Sequence, residues 1–358
     1  MQTITSNRKL EHIKICLEMD VETKYTGLED ITLLHKALPE IDFDEIDTST
    51  KIFGKKLSFP FLIASMTGGH PETKKINENL AEAVEKTKIG MGVGSQRAAI
   101  ENKSLEDTFS VVRDKAPKAF IYANIGVPQL LQHGVEIIDK VVELVDADAV
   151  AVHLNFLQEI LQPEGDKKAK GCMKLIEEVC KYSKVPVIVK ETGAGIIREI
   201  ALELKKVGVS ALDIGGKGGT SFSKVESYRA SEEIWKKVGA DFWDWGVPTA
   251  FCIVDCKDVL PTIATGGLRS GVDVAKCLAI GAKVASAALP FLKDAMKSSE
   301  DVEKKIEYFK RGLKTCMFLM GCKKVEELRS LKIFVSGKFR DWLEFRKIDV
   351  FKFMEGER

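Results

Sequence analysis

From residue 59 onward, short runs of apolar, β-branched and aromatic residues alternate with longer amphipathic stretches, the pattern of parallel strands joined by helical crossovers. Candidate strands span 59–65, 89–95, 119–126, 147–155, 186–192, 211–216, 261–267 and 283–289. Runs such as Ala149-Val150-Ala151-Val152 and Val187-Ile188-Val189 are apolar throughout, which suits strands buried on both faces. Between them, 71–87 puts Ile76, Leu80, Ala83 and Val84 on one helical face and Lys74, Lys75, Glu78 and Glu82 elsewhere. Segments 171–182 and 195–207 read in the same way. Eight such strand-helix units predict an α/β fold of the (β/α)₈ TIM-barrel type more than an open sheet.

Three regions depart from the repeat. Residues 1–58 form an extension or arm that caps the barrel, and 59–358 form the barrel with a C-terminal helical segment, the whole reading as one domain. Within the extension, 43–53 predicts a hairpin over one barrel end, turning at Thr48-Ser49-Thr50. The 221–255 stretch exceeds an ordinary crossover and predicts a long loop and a helix. Beyond the last strand, 294–358 is helical in pattern with a short interruption at 333–337, and an apolar face over 294–320 suits self-association into a homo-oligomer.

Length and charge narrow the function. The 358 residues fit one barrel with extensions, since such barrels run to about 250 residues before insertions. Lys and Arg total 54 against 53 Asp and Glu, so no whole-chain field draws nucleic acid or anionic membrane, and anion binding must be local. The first ten residues are polar, and no stretch approaches the roughly 20 apolar residues of a membrane span, which predicts a cytoplasmic protein. The eight cysteines are scattered as reduced thiols; Cys252 and Cys256 share a helix face, but without a nearby His or second Cys pair they read as core.

Polar and glycine-rich residues collect where the strands end, the side of such barrels that carries chemistry. The strand ends read Ser65-Met66-Thr67-Gly68-Gly69, Gly94-Ser95-Gln96-Arg97, Asn124-Ile125-Gly126, His153-Leu154-Asn155, Lys190-Glu191-Thr192, Gly215-Gly216-Lys217-Gly218-Gly219-Thr220 and Thr265-Gly266-Gly267-Leu268-Arg269. Glycine lets backbone N–H groups approach a phosphate, so Gly266-Gly267, with Ala288-Leu289 after the eighth strand, predict a phosphate site in the last two loops; tight turns without a ligand are the alternative. Lys190 emerges from an apolar strand as either a cation beside N1 and O2 of a flavin or an ion-pair partner of Glu191 or Glu226. His153 fits a catalyst or a hydrogen-bonded core residue. Glu159 is the best single ligand for Mg²⁺, with a substrate diphosphate completing the shell. Arg8-Lys9 and His12 form either a solvated charge cluster or, with Arg97, a clamp on a diphosphate.

Taken together, Arg8-Lys9, His12, Met66-Thr67-Gly68-Gly69, 91–97, His153-Leu154-Asn155, Gln158-Glu159, Gln162-Pro163-Glu164-Gly165, Gly218-Gly219-Thr220 and 245–250 resemble the type 2, FMN-dependent isopentenyl-diphosphate isomerases over nearly the full length. The resemblance implies that Ser65, Met66, Thr67, Ser95, Asn124, Lys190, Gly215 and Thr220 contact FMN, with Gly266, Gly267, Leu268, Ala288 and Leu289 at its phosphate end. It implies a small diphosphate substrate held by Arg8, Lys9, Ser95, Gln96, Arg97 and Gln158, Mg²⁺ on Glu159, and NADPH as the reductant of FMN. Phe222 stands where some members carry Trp. The implied reaction shifts a double bond from isopentenyl to dimethylallyl diphosphate without net redox change, with Gln158, His153 and Lys190 nearest the chemistry and flavin N5 as proton carrier. Two rivals are an α-hydroxy-acid oxidase or nucleotide dehydrogenase, and a noncatalytic flavin or phosphate sensor; the first needs an Arg pair or a loop Cys, and the second need not keep Gln158, Glu159 and Arg97 together.

Overall fold

The structure, a computed structural model, describes residues 4–358, with side chains from residue 8 onward; the first three residues of the expected extension lie outside the described residues. All eight expected strands form: β1 (Phe61–Ile63), β2 (Gly90–Gly92), β3 (Phe120–Gly126), β4 (Ala149–Leu154), β5 (Val187–Glu191), β6 (Ala211–Asp213), β7 (Thr262–Ala264) and β8 (Val284–Ala287). They pair in parallel in chain order, and β8 closes on β1 with Ala285 opposite Phe61, so the sheet is a closed barrel.

Alternation along each strand sorts the side chains. Outward residues such as Phe61, Ile63, Ile121, Val150, Val152 and Val189 pack under the helices. Inward residues Leu62, Phe120, Tyr122, Ala149, Ala151, Ile188, Ala211, Ile263 and Val284 fill the barrel. The two Phe120 and Tyr122 rings need space, and β2 provides it: a Cβ on Gly92 would lie 2.1 Å from Tyr122 Cζ, and one on Gly90 2.6 Å from Phe120 O.

A hairpin of Thr50–Ile52 and Lys55–Leu57 adds Ile52 and Leu57 to this apolar filling at the start of the strands, plugging that end. Its turn is not at Thr48-Ser49-Thr50 as expected but at Phe53-Gly54, with φ 45° and 82°. A two-residue turn of this type needs positive φ at both central positions, which Gly54 gives freely and β-branched Thr resists. The 221–255 segment is also more regular than expected, forming helices at Phe222–Arg229, Glu233–Asp241 and Thr249–Cys256. The interruption near 333–337 is a strand, Ile333–Val335, paired antiparallel with Ile31–Leu33. The apolar face of 294–320 is used within the chain: Val302, Ile306, Phe309, Leu313 and Met317 are buried, against helices Pro71–Thr87 and Gly271–Ala279. Cys252 and Cys256 are buried, their thiols directed to the carbonyls of Val247 and Ile196. Among the described residues, no helix is long and apolar enough to cross a membrane.

Candidate active site

One step further along the strands, the same alternation turns the inside of the barrel polar. Asn124 follows Tyr122, His153 follows Ala151, Lys190 follows Ile188, Asp213 follows Ala211 and Thr265 follows Ile263, each two residues on and so on the same face. Above this layer the strand-end loops enclose a cleft with about 1510 Å³ free of protein atoms, its open mouth included. Ser65, Met66, Thr67, Ser95, Arg97, Asn124, His153, Gln158, Glu159, Lys190, Gly215, Thr220, Gly266, Gly267, Leu268, Ala288 and Leu289 all line it. So do Arg8 and Lys9, because the N-terminal arm is a helix, α1 (Ile4–Glu18), that folds over the mouth and adds His12, Ile13 and Cys16.

Gln96 is the exception among the expected substrate ligands. It is fully buried behind the wall, where its amide donates to Val141 O at 2.9 Å and its Oε1 accepts from Asn124 N at 2.9 Å. A side chain that satisfies two backbone groups in this way ties the β2 and β3 loops together, and its burial keeps its amide out of the cleft.

One wall of the cleft is glycine and hydroxyl. Gly266 has φ 112°, and a Cβ there would lie 2.0 Å from Gly216 O; one on Gly219 would lie 2.6 Å from Gly267 N. Only bare backbone permits these loops to meet, and it leaves the backbone at the cleft uncovered by side chains, as close approach of a phosphate requires. Nearby, Ser65 Oγ and Thr67 Oγ1 are buried with no partner at hydrogen-bond geometry, the Tyr122 hydroxyl beside Ser65 being likewise unpartnered. Buried hydroxyls are rarely left unpaired, so these point to a ligand rich in acceptors and donors. Lys190 completes the wall; its Nζ is 3.1 Å from Asp213 Oδ2 and donates to Glu191 O at 3.1 Å, so its carboxylate partner is neither Glu191 nor Glu226. Glu191 instead accepts from the backbone N–H groups of Thr192, Gly193, Ala194 and Gly195 with one oxygen, pinning its own loop. These groups fit FMN.

The opposite wall is charged. Helix α2 (Phe156–Leu161) brings Gln158 and Glu159, and helix α3 (Phe222–Arg229) brings Phe222, Glu226 and Arg229. Glu226 Oε1 accepts from Gln158 Nε2 at 2.9 Å and lies 2.9 Å from His12 Nε2, while Oε2 takes Arg229 at 2.5 Å. Burial alone would raise the Glu226 carboxyl, but His12, Arg229 and Gln158 outweigh it and hold it at about 2. Glu159 accepts from Asn155 at 2.9 Å on one oxygen, and from Gln162 at 2.7 Å and Asp166 N at 2.8 Å on the other. A carboxylate offers about four lone-pair directions, so one remains for a metal. Among the described residues no three His, Cys, Asp or Glu side chains converge on one point.

Cations crowd the space between. Arg8 donates to Gln162 at 3.2 Å and Glu164 at 3.5 Å, and Arg97 pairs with Glu101 at 2.6 Å. Burial, then Arg8 and Arg97, push Lys9 down to about 7. Burial, then Lys9, Lys190 and Arg8, push His153 down to about 3, so the ring is neutral, with Nδ1 2.9 Å from Asn124 Oδ1. An anion entering here relieves that mutual repulsion.

Sequence reasoning missed Asp213 and Arg229. An acid inside the apolar Ala211-Leu212-Asp213-Ile214 run was the available signal for the first; nothing local marked the second.

The profile of FMN-dependent dehydrogenases matches residues 17–125 and 146–334. Solved structures with the same fold include a mandelate oxidase variant, TM-score 0.66 at 17% identity over 91% of this chain and 96% of that one. The flavin-binding domain of baker's yeast flavocytochrome b2 aligns with TM-score 0.65 at 19% identity, over 90% and 78%. Identity is far higher to isopentenyl-diphosphate delta-isomerases: 67% to that of Archaeoglobus fulgidus over 96% of this chain and 99% of that one, and 50% to that of Methanosarcina mazei over 98% and 97%. The chain therefore belongs to the type 2, FMN-dependent isopentenyl-diphosphate delta-isomerases.

Proposed function

We propose that this chain converts isopentenyl diphosphate to dimethylallyl diphosphate in the cleft described, with FMN against the glycine-hydroxyl wall and the diphosphate among Arg8, Lys9 and Arg97. The observation that carries the reading is the meeting, in one cleft, of partnerless Ser65 and Thr67 hydroxyls, three crowded cations and a carboxylate with a free lone pair.

When bound and reduced, FMN supplies an electron-rich ring face and a transferable proton at N5. The side chains around the reacting carbons are poor proton carriers at neutral pH. Glu226, held at about 2, stays ionised, and His153, held at about 3, stays neutral and hydrogen-bonded through Nδ1. Gln158 is an amide, and its place is positional: Glu226 fixes its Nε2 and Asn155 donates to its Oε1 at 3.3 Å. Phe222 gives an apolar boundary where positive charge develops on carbon, and α1 over the mouth excludes water. Lys190, at the cleft wall, would hold the flavin ring, and its ammonium would favour the reduced anion.

Glu159 would hold Mg²⁺ through its free lone pair, the diphosphate and water supplying the other ligands. NADPH is the electron source, and the protein acts in the cytoplasm. A homo-oligomer, a tetramer or octamer, is part of the same reading, supported by the exposure of Phe334, Phe345 and Phe351.

The test uses labelled isopentenyl diphosphate with FMN and Mg²⁺ under anaerobic conditions. Dimethylallyl diphosphate is expected only after dithionite or NADPH bleaches the yellow protein. Equal turnover by the fully oxidised enzyme overturns the proposal.

A further inference from the structure

Behind the cleft wall lies a charged group to which the reaction assigns no task. Asp213, at the end of β6, is fully buried and does not line the cleft, whereas Lys190, Gly215 and Thr265 in front of it do. Its Oδ2 stands 3.1 Å from Lys190 Nζ, and its Oδ1 accepts a hydrogen bond from Thr265 Oγ1. Lys190 and Asp213 are register partners on adjacent parallel strands, so the sheet itself sets the pairing. Thr265 Oγ1 also accepts from Gly215 N at 3.2 Å, which ties the carboxylate to the loop beside the lysine.

A buried carboxylate that only stabilised the barrel would serve equally well under any strand. This one stands against the single ammonium that the preceding reading puts beside the flavin. A lysine alone presents a full positive charge to the cleft. Paired at contact distance with a carboxylate on its far side, it presents the positive end of a dipole, whose field falls off more steeply.

We propose that Asp213 is a positioning residue that holds the Lys190 ammonium at the cleft wall and offsets part of its charge, setting how strongly the site favours reduced over oxidised FMN. The inference rests on Lys190 standing beside the flavin ring. Thr265 is the third member, because its hydroxyl shares the carboxylate's charge and so limits how fully Asp213 cancels the lysine.

The experiment measures FMN dissociation constants anaerobically in the oxidised and dithionite-reduced states, for the parent protein and three variants. Asp213→Asn keeps the shape and removes the charge, so the preference for reduced FMN is expected to rise about tenfold, or about 30 mV for a two-electron couple. Thr265→Val, which lets the carboxylate act wholly on the lysine, is expected to move the preference the other way by about threefold. Lys190→Met is expected to lower it below the parent. A change in Lys190→Met with none in Asp213→Asn, or a fall in Asp213→Asn, overturns the proposal and leaves the reading of Lys190 intact. No change in Lys190→Met removes that reading, and the proposal with it. If Asp213→Asn does not fold, Thr265→Val decides: a preference equal to or above the parent's overturns the proposal.

Discussion

On the wall built from the β1 and β7 edges, polar groups are waiting: Ser65 Oγ and Thr67 Oγ1 have no partner, and Gly266 leaves backbone bare. On the wall built from α1, α2 and α3, most polar groups are bonded to one another, from Arg8 through Gln162 to Glu159, and from Glu164 through Arg229 to Glu226 and Gln158, with Arg8 Nε left without a partner. The first wall is preformed for a ligand that stays. The second must exchange partners each time a charged ligand arrives and leaves, and ready-made internal partners keep its charges from being stranded in between. A resident cofactor and a substrate that turns over call for these two kinds of surface.

The preformed wall breaks most easily at its backbone. Gly266→Ala would force a Cβ to within 2.0 Å of Gly216 O at a φ of 112°, a conformation that non-glycine residues adopt only under strain. Affinity for FMN is expected to fall by about 100-fold or more, given roughly 3 kcal/mol of strain and displaced amides. Gel filtration followed by the flavin absorbance reads this, with far-UV circular dichroism confirming the barrel; a variant that keeps its flavin would show that the loop does not cradle it. On the exchanging wall, Glu159→Gln is expected to raise the Mg²⁺ concentration for half-maximal activity by about tenfold or more, because an amide oxygen replaces a carboxylate at a hard cation. An unchanged Mg²⁺ titration would move the metal elsewhere.

Lys9 gives the exchanging wall a pH dependence. Burial, and after it Arg8 and Arg97, hold its ammonium down to about 7; a diphosphate placed against it offsets the two arginines and adds an opposite charge, so its affinity for a proton rises. Binding therefore takes up a proton, so affinity is full below pH 7 and weakens as pH rises through 7, approaching tenfold per unit. Inorganic pyrophosphate titrated between pH 6 and 9 reads the slope. Lys9→Met is expected to bind more weakly at pH 6 but with a flatter profile, and parallel profiles would exclude Lys9 as the source.

The two walls also differed in how far the sequence revealed them. The glycine-hydroxyl wall comes from strand ends, where an apolar run stops at a polar residue, so Ser65, Thr67, Lys190 and Gly266 are marked by position in one strand. The charged wall depends on which helices meet. Glu226 and Arg229 reach Gln158 and Glu164 only because α3 packs on α2, and no spacing within 222–229 announces that. Gln96 misled for the same reason: it lies between Ser95 and Arg97, both at the cleft, while its partners Val141 and Asn124 come from later segments. Asp213 was hidden by register, since its pairing with Lys190 exists only when β5 and β6 lie side by side. The hairpin turn lies at Phe53-Gly54 because positive φ, not the polarity that Thr-Ser-Thr offers, is the property the turn needs.

The smallest effect separates the two walls most directly. A buried hydroxyl without a partner costs the protein free energy, so Ser65→Ala is expected to leave the flavin-free protein as stable as the parent or more stable, by up to about 1 kcal/mol. The same change removes a hydrogen bond once FMN is bound, so affinity for the cofactor is expected to fall by about threefold to tenfold. Opposite signs for stability and binding are the signature of a group held ready for a ligand. Glu226→Gln on the other wall should show the reverse pattern: a loss of stability, because Arg229 loses its buried counter-charge, and little change in FMN affinity. Thermal denaturation of the flavin-free proteins and fluorescence titration with FMN measure both quantities on the same four samples: the parent, the two variants and the pair combined. If Ser65→Ala destabilises the flavin-free protein, its hydroxyl already has a structural partner, and the distinction between a waiting wall and an exchanging one fails at its clearest point.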